Sequence, residues 1–189
     1  QLARYVHKNV KKYMPEMNPM MIYRLDRFGR GGHHRPFNDI GYAGIRIMEA
    51  HENYIMQHQD IRVEENVAYG DVIKGVNFEY AKKQTAVNAI NLASIAWSPP
   101  SVNKLSIGGI VQASVKFKWE KVEGSKILGY KIYWRDTTSP TWDHFKYIEN
   151  STEFTLEGIV VDNFFFGIAA VGENGHESIV SFPSGLTRN

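Results

Sequence analysis

Apolar residues recur every three or four positions in two stretches of the first half of the chain. In residues 1–14 they form one face of a helix with lysines opposite, namely Leu2, Tyr5, Val6, Val10 and Tyr13. Between Val76 and Trp97 they mix with small polar residues that suit close packing on a sheet, namely Phe78, Ala81, Thr85, Asn88, Ala89, Leu92 and Ile95 or Ala96. The pattern predicts a helix in each stretch, the first ended by Pro15 and the second by Pro99 and Pro100.

Two apolar runs between these helices are predicted to be strands, at residues 20–25 and 41–49. Helices that cover neighbouring strands would explain why both runs carry so few polar residues. Residues 51–71 are polar with little periodicity, which indicates a functional or partner-covering loop. Together these elements favour an α/β domain over residues 1–98.

The hydrophobic pattern changes to a period of two after the prolines. Alternating or apolar runs at residues 113–120, 129–135, 163–171 and 178–181 are predicted to be strands separated by turns. Short strands at this spacing predict an all-β sandwich over residues 99–189. The chain is therefore expected to hold two domains, 1–98 and 99–189.

The amino-acid composition argues against several classes of function. The chain of 189 residues is 43% hydrophobic and 13% aromatic, so it has enough apolar residues for a packed core. The net charge of +2 is spread along the chain, which predicts no nucleic-acid partner and no membrane-surface partner. No apolar run approaches the roughly 20 residues of a membrane-spanning helix. The absence of cysteine excludes disulfides, thiolate zinc clusters and a cysteine nucleophile.

The densest cluster of chemically capable residues lies in one stretch, Asp26 to Asp39. It contains the adjacent histidines His33 and His34, with arginines, glycines and a proline. Its glycines permit positive φ and close backbone approach, but they lack the sequence that would make them a phosphate cradle. On residues alone this stretch is a working site, part of one, or a solvated turn.

The second half resembles the fibronectin type III family over residues 100–187. The resemblance is carried by Trp119, by the strand residues 129–135 and 163–171, and by the turns around them at 154–156 and 175–178. It implies the sandwich fold and says little about function. Trp119 is expected to fill the sandwich core.

The first half is similar to the co-catalytic dinuclear-zinc aminopeptidases, exopeptidases related to the glutaminyl cyclases. The similarity runs in order through residues 23–39, 41–49, 52–54, 57–60, 69–71 and 93–100. In that family a histidine two residues before Pro-Phe is the last of five zinc ligands, and this position falls on His34. Where its close relatives have aspartate before that ligand, this chain has His33.

The resemblance implies a hydrolase that removes N-terminal residues from peptide substrates with two zinc ions, in a secreted or periplasmic enzyme. The general base and the other ligands lie earlier in the family's chain. This chain is therefore expected to be the C-terminal part of such an enzyme. It is expected to have no catalytic residue of its own, and to bind no zinc and show no activity when isolated. The alternative is a non-catalytic binding or adhesion module that uses the sandwich.

Other residues of the first half have competing interpretations. Asp26, Arg27 and Arg30 are expected to form a salt-linked frame that holds the loop, and the alternative is contact with the substrate's backbone. His33 is expected to be solvated or to support the site without binding metal. Tyr54 is a candidate wall of a substrate pocket. A further set could be a metal cluster but is predicted to be a hydrogen-bonded loop behind the site: Glu49, His51 and Glu52.

A truncated sheet would expose an edge and apolar faces. We therefore expect either self-association through residues 1–98 or disorder in the loop at 26–38. A monomer by light scattering in which that loop is fully ordered would contradict both expectations.

Overall fold

The computed structural model describes residues 1–124 and 126–187, which divide into two compact units. The first, called here the helical unit, contains Leu2 and residues 6–91. The second, called the sandwich unit, contains Gln1, residues 3–5 and the described residues from 92 onward. The predicted boundary between residues 98 and 99 stays a prediction, and the predicted end of the second domain at 189 lies outside the described residues.

Helices dominate the regular structure of the helical unit. The elements that lie in it wholly or for most of their length are α1 (Leu2–Tyr13), α2 (Arg35–Asp39), β1 (Arg62–Glu64), β2 (Val67–Tyr69) and α3 (Phe78–Trp97), with single 3-10 turns at Pro15–Met17 and Ile73–Gly75. The predicted helices at 1–14 and 76–97 are confirmed as α1 and α3. None of the helices described here is both long enough and apolar enough to cross a membrane.

A buried polar pair joins α1 to α3 within the helical unit. Asn9 donates from its side-chain nitrogen to the side-chain oxygen of Asn91 at 3.2 Å, and Asn91 donates to the carbonyl of Val87 at 2.8 Å. Each amide thus finds a partner where water is excluded, which removes most of the cost of burial. Val10 and Val87 supply the buried apolar contact area beside this pair.

The sheet predicted for the first half is not formed among the described residues, so both strand predictions are wrong. Residues 20–25 and 41–49 contain neither helix nor strand. Hydrophobic pattern reports which side chains suit burial, but a strand also needs a neighbour that accepts and donates backbone hydrogen bonds. No such neighbour pairs with either segment in the described part of the chain.

The polar stretch 51–71 contains a short hairpin in place of the expected loop. Strands β1 and β2 pair antiparallel, with Arg62 opposite Tyr69 and Glu64 opposite Val67. The turn residues Glu65 and Asn66 both have positive φ, of 48° and 64°. Such a turn matches the twist of the strands it joins. The sequence does not predict this hairpin because its strands are three residues long and mostly exposed, so they lack an alternating apolar face.

The sandwich unit consists of two sheets. Its strands are β3 (Ser106–Gly108), β4 (Ser114–Lys118), β5 (Ile127–Asp136), β6 (His144–Glu149), β7 (Glu153–Glu157), β8 (Phe164–Gly172) and β9 (Gly185–Leu186), with a 3-10 turn at Val161–Asn163. The strand orders are β7-β4-β3-β9 and β6-β5-β8. All pairs are antiparallel except β3 with β9. The predicted strands at 113–120, 129–135 and 163–171 are confirmed. The predicted strand at 178–181 is wrong, because these residues form no strand. They still lie along β8: Ser181 exchanges backbone hydrogen bonds with Ile168, and the Ser178 N–H donates to the Ala170 carbonyl at 2.9 Å.

Aromatic rings fill the space between the two sheets. Phe117 of β4 meets Phe166 of β8 edge-on with ring centres 5.5 Å apart, and Trp119 meets Tyr130 in the same way at 5.2 Å. Such edge contacts stabilise aromatic pairs beyond the area they bury. The core also contains these buried side chains: Val115, Ile132, Ile168 and Ala170. Trp119 therefore fills the core, as expected.

Tyr133, on the other side of β5, is held by a polar contact. Its hydroxyl donates to the carboxylate of Glu177, which also receives Lys131 Nζ at 2.8 Å. Burial, followed by the negative charge of Glu177, raises the pKa of the Tyr133 hydroxyl above its usual value. The ring lies 5.8 Å from that of Trp142. Packing thus accounts for both aromatic residues.

Candidate functional site

The loop that follows residue 25 is folded back on itself by α2. Pro36 lies in the first turn of this helix, where its missing N–H is not needed. Asn38, in the same helix, donates from its side-chain nitrogen to the carbonyls of Tyr42 at 2.9 Å and Gly44 at 3.2 Å. One side chain thereby holds the returning chain against the helix that begins just after His34.

Two glycines let the backbone approach His34 closely. A Cβ placed on Gly44 would lie 3.2 Å from both the Cβ and the carbonyl oxygen of His34. A Cβ placed on Gly32 would lie 2.9 Å from Nδ1 of the same histidine. Both distances are below ordinary van der Waals contact, so a larger residue at either position would displace the His34 ring or the chain that touches it.

The imidazole of His34 is buried beside a carboxylate. Its side chain is 7% exposed, and Nε2 lies 2.9 Å from the carbonyl oxygen of Leu25 and 3.7 Å from Oδ2 of Asp26. Because a carbonyl can only accept, Nε2 carries the hydrogen in this contact. Asp26 is 3% exposed, and its Oδ2 has no hydrogen-bond partner. A nitrogen donor and a spare carboxylate oxygen thus face each other away from water.

Asp26 is held in its ionised form. The backbone N–H of Arg27 donates to Oδ1 at 2.7 Å, and this bond outweighs the effect of burial and lowers the pKa of Asp26 below its usual 3.8. The Arg46 guanidinium, 3.7 Å from Oδ1, acts in the same direction, and so does His34. The pair therefore presents a negatively charged oxygen at neutral pH.

Glu52 lies at the centre of the salt-linked frame expected for Asp26, Arg27 and Arg30, called here the arginine frame. Arg27 donates to Oε1, Arg30 donates to Oε2 at 3.0 Å, and Gln57 donates to Oε1 at 3.3 Å. Burial opposes ionisation, but the hydrogen bonds from Arg27 and Gln57 and the two guanidinium charges hold the pKa of Glu52 below its usual 4.5. Asp26 joins the same frame, because its Oδ1 lies 3.5 Å from Arg27 Nε. Glu52 follows His34 in sequence, and its ion pairs with Arg27 and Arg30 hold the part of the loop that precedes His34.

The Glu52 fork predicts a pH dependence of stability. Because folding lowers the pKa of Glu52, its stabilising contribution is present above pH 4.5 and is lost as the pH falls through the folded-state value. We expect Glu52→Gln to reduce the slope of unfolding free energy against pH between pH 5 and 3. The reduction should correspond to the uptake of at most about one proton on unfolding. Urea unfolding at a series of pH values measures this slope.

Glu79→Gln is the matched control, because Glu79 pairs with Lys82 on the exposed surface of α3. Its slope should equal that of the unchanged chain. An equal slope for Glu52→Gln would show that the fork does not form in solution.

His33 and Tyr54 are the remaining predicted site residues. His33 is exposed, and Tyr54 is 66% exposed and does not line the open cavity beside the loop. That cavity has a volume of about 590 Å³ and is lined by Leu25, Asp26, Arg27, Phe28, Gly29, Arg30, Gly31, Arg35 and Asp39. The sequence does not single out Arg46 or the Leu25 carbonyl. The sequence signal for Arg46 is that it is the one charged residue in the otherwise apolar run 43–48.

The described residues do not complete a zinc site. A zinc ion in a protein takes three or four ligands from the chain, whereas no group of three or more His, Cys, Asp or Glu side chains converges in the described ranges. Asp26 and His34 have suitable donor chemistry for two positions of such a set. The alternative of a metal cluster at Glu49, His51 and Glu52 is wrong, because Glu52 is engaged by arginines and its two neighbours are exposed.

Curated relatives match the chain over its whole length. A probable zinc metalloprotease of Pyrenophora tritici-repentis is 35% identical over 193 residues, which cover 100% of this chain and 44% of the relative. A probable zinc metalloprotease of Phaeosphaeria nodorum is 34% identical, with 100% and 39% covered. One from Pyricularia oryzae is 31% identical, with 97% and 38% covered. The chain thus spans less than half the length of these relatives. No family model matches it.

Two solved structures each resemble less than half of the chain. The fn3 domain of human collagen alpha-1(XX) chain is 11% identical and covers 49% of this chain and 90% of that one, with a TM-score of 0.38. The FN5 domain of Drosophila Lar is 17% identical and covers 44% and 89%, with a TM-score of 0.35. At these scores the likeness adds nothing to the sandwich that strand pairing already defines.

Proposed function

We propose that this chain is the C-terminal part of a zinc-dependent aminopeptidase, with its functional loop at residues 26–39. One observation carries the proposal. The buried, ionised carboxylate of Asp26 leaves Oδ2 without a hydrogen-bond partner, 3.7 Å from Nε2 of His34. A carboxylate oxygen without a hydrogen bond, next to an imidazole, offers a cation two donor types of the kind that zinc accepts. The relatives named as zinc metalloproteases support zinc as that cation.

In this proposal His34 is a metal ligand of a longer protein, and Asp26 is either a second ligand or the group that orients the ring. Arg27, Arg30 and Glu52 hold the loop and touch no substrate. Because the described residues do not complete a zinc site, no catalytic step is assigned to them. The remaining ligands, the second zinc ion and the general base belong to the rest of the longer protein.

The finer parts of the proposal come from the resemblance of residues 23–71 to the dinuclear-zinc aminopeptidases. They are the removal of N-terminal residues from peptides, the use of two zinc ions, and a secreted or periplasmic location. The residue order around His34 supports the first two. His33, which stands where the resemblance implies an aspartate, is exposed to solvent.

The chain by itself should not hydrolyse peptides. Incubated with zinc and leucine p-nitroanilide, it is expected to release no nitroaniline above the rate of zinc alone, because at most two ligands are in place. The longer protein should release it, and a chelator should stop the reaction. Nitroaniline absorbance and zinc content by mass spectrometry measure both samples.

Chelator-sensitive turnover by the isolated chain would contradict the assignment of the missing ligands to the longer protein. A longer protein that binds no zinc and cleaves no aminoacyl-nitroanilide would overturn the proposed function.

A further inference from the structure

Arg46 lies in a segment without regular structure, yet its side chain reaches the functional loop. It is the one charged residue of the run 43–48. Its side chain is 29% exposed, and Nη1 lies 3.7 Å from Oδ1 of Asp26. Among residues 1–124 and 126–187, Asp26 is the one carboxylate with which it forms an ion pair. A long charged side chain in an apolar run normally extends into water, so its direction toward a buried carboxylate makes Arg46 part of the loop.

Gly32 leaves room for both Arg46 and His34. A Cβ placed on Gly32 would lie 3.3 Å from Cδ of Arg46 and 3.1 Å from Cε1 of His34. The arginine stem and the imidazole ring therefore approach the same backbone position, which stays open because glycine has no side chain. This packing holds the stem of Arg46 where its guanidinium can lie beside Asp26.

The groups that hold the carboxylate of Asp26 all lie at one of its two oxygens. Oδ1 accepts the backbone N–H of Arg27 at 2.7 Å, and it has Arg27 Nε at 3.5 Å and Arg46 Nη1 at 3.7 Å. Oδ2 has no hydrogen-bond partner, because Nε2 of His34 is 3.7 Å away. The torsion that rotates an aspartate carboxylate is broad. The partners of Oδ1 therefore set the direction in which Oδ2 points.

The guanidinium of Arg46 differs from that of Arg27 in having one carboxylate partner. Arg27 donates to Glu52 and turns Nε toward Asp26, so its charge is shared between two carboxylates. Arg46 pairs with Asp26 alone in the part of the chain that the structure describes. Asp26 is 3% exposed, so water cannot easily take the place of a lost cation. Removal of the Arg46 charge should therefore free the carboxylate to rotate and leave the ion pairs of Glu52 intact.

We propose that Arg46 is a positioning residue of the functional loop, which holds Oδ1 of Asp26 so that Oδ2 stays beside Nε2 of His34. Arg46 acts through Asp26 and is not itself a metal ligand, because a guanidinium has no acceptor atom. The inference rests on the proposed function, because its consequence in the longer protein is the affinity of the loop for zinc. A carboxylate already held in one orientation loses less conformational entropy when a metal binds beside it.

The first measurement needs no metal. In the 189-residue chain labelled with nitrogen-15 histidine, Arg46→Gln is expected to shift the Nε2 resonance of His34. It should also speed exchange of the Nε2 proton with water at least about tenfold, because the carboxylate no longer faces the ring. Glutamine keeps a carbon at the Cδ position beside Gly32 and removes the charge. Arg46→Lys, which returns a cation on a flexible stem, should restore the resonance.

The second measurement uses the longer protein. Arg46→Gln should weaken zinc binding about tenfold in competition with a chelator, and it should change the visible spectrum of the Co²⁺-substituted protein. Arg46→Lys should recover the zinc affinity to within about threefold. Arg24→Met is the matched control, because Arg24 is exposed near Asp26 and its guanidinium carbon lies 5.7 Å from the ring centre of Phe28. It should change zinc affinity less than about twofold and leave the His34 resonance in place.

An unchanged His34 resonance in Arg46→Gln would overturn the inference, and so would an unchanged affinity in a longer protein that binds zinc. An equal effect of Arg24→Met, or an Arg46→Gln chain that does not fold, would give Arg46 a merely structural role and would overturn it too. A longer protein that binds no zinc would refute the proposed function, while the metal-free measurement would still decide the role of Arg46.

Discussion

His34→Ala is expected to lower kcat/KM of the longer protein for leucine p-nitroanilide more than about 100-fold. Loss of a group that merely supports a ligand costs about 10- to 100-fold in metal affinity or activity, and loss of a ligand should cost more. The imidazole is 7% exposed and faces the charged oxygen of Asp26, so water cannot easily replace it. Zinc content, measured on the same sample, should fall with activity.

His33→Ala is the matched control for this experiment. His33 is the adjacent histidine but is exposed, so its loss should change activity and zinc content by only a few-fold, within about 1 kcal/mol. Unchanged thermal unfolding of both variants would show that the loop is intact. If His33→Ala removed zinc and His34→Ala did not, the two histidines would have to exchange roles.

Phe117→Ala is expected to lower the unfolding free energy of the sandwich by about 3–5 kcal/mol, as for other buried aromatic residues. Phe117 is 0% exposed, lies on the central strand pair of its sheet and meets Phe166 edge-on across the core. Its removal leaves a cavity that the paired strands cannot collapse to fill, because their register is fixed by hydrogen bonds on both sides of β4. Urea unfolding monitored by tryptophan fluorescence measures the loss.

Phe145→Ala provides the comparison within the same unit. Phe145 lies on β6 and is 57% exposed, and its ring touches Tyr133 at a centre distance of 5.9 Å. We expect a loss of about 1 kcal/mol, from the contact with Tyr133 and from Lys131 Nζ, which lies 4.6 Å from the centre of the Phe145 ring. Equal losses for the two variants would mean that the sheets do not pack through Phe117.

In the functional loop at residues 26–39, residue types identify the candidate site residues but not the contacts between them. Residue chemistry selects Asp26, Arg27, Arg30 and His34 as members of one charged loop. It does not predict that Asp26 and His34 meet, because that contact depends on the fold of α2 and on the space left by Gly32 and Gly44. Local side-chain size and one amide, that of Asn38, therefore decide the geometry of the pair.

The ion pairs of Glu52 show what a local sequence pattern cannot predict. Glu52 lies 25 residues from Arg27 and 22 from Arg30 in sequence, yet its two oxygens bind one arginine each. The expected frame of Asp26, Arg27 and Arg30 is complete only with this distant carboxylate. Charges separated by a variable loop carry no periodic signal, so no local pattern could identify the partner.

By itself, the sequence determined the helices α1 and α3 and three of the longer sandwich strands, because side-chain periodicity is a local property that burial on one face enforces. The tertiary structure alone decided that residues 20–25 and 41–49 are not strands and that Glu52 joins the arginine frame. Both depend on which polypeptide lies alongside, since backbone pairing and ion pairing each need a partner in space. The position of Asp26 Oδ2, next to His34 and without a hydrogen bond, is likewise decided by the tertiary structure.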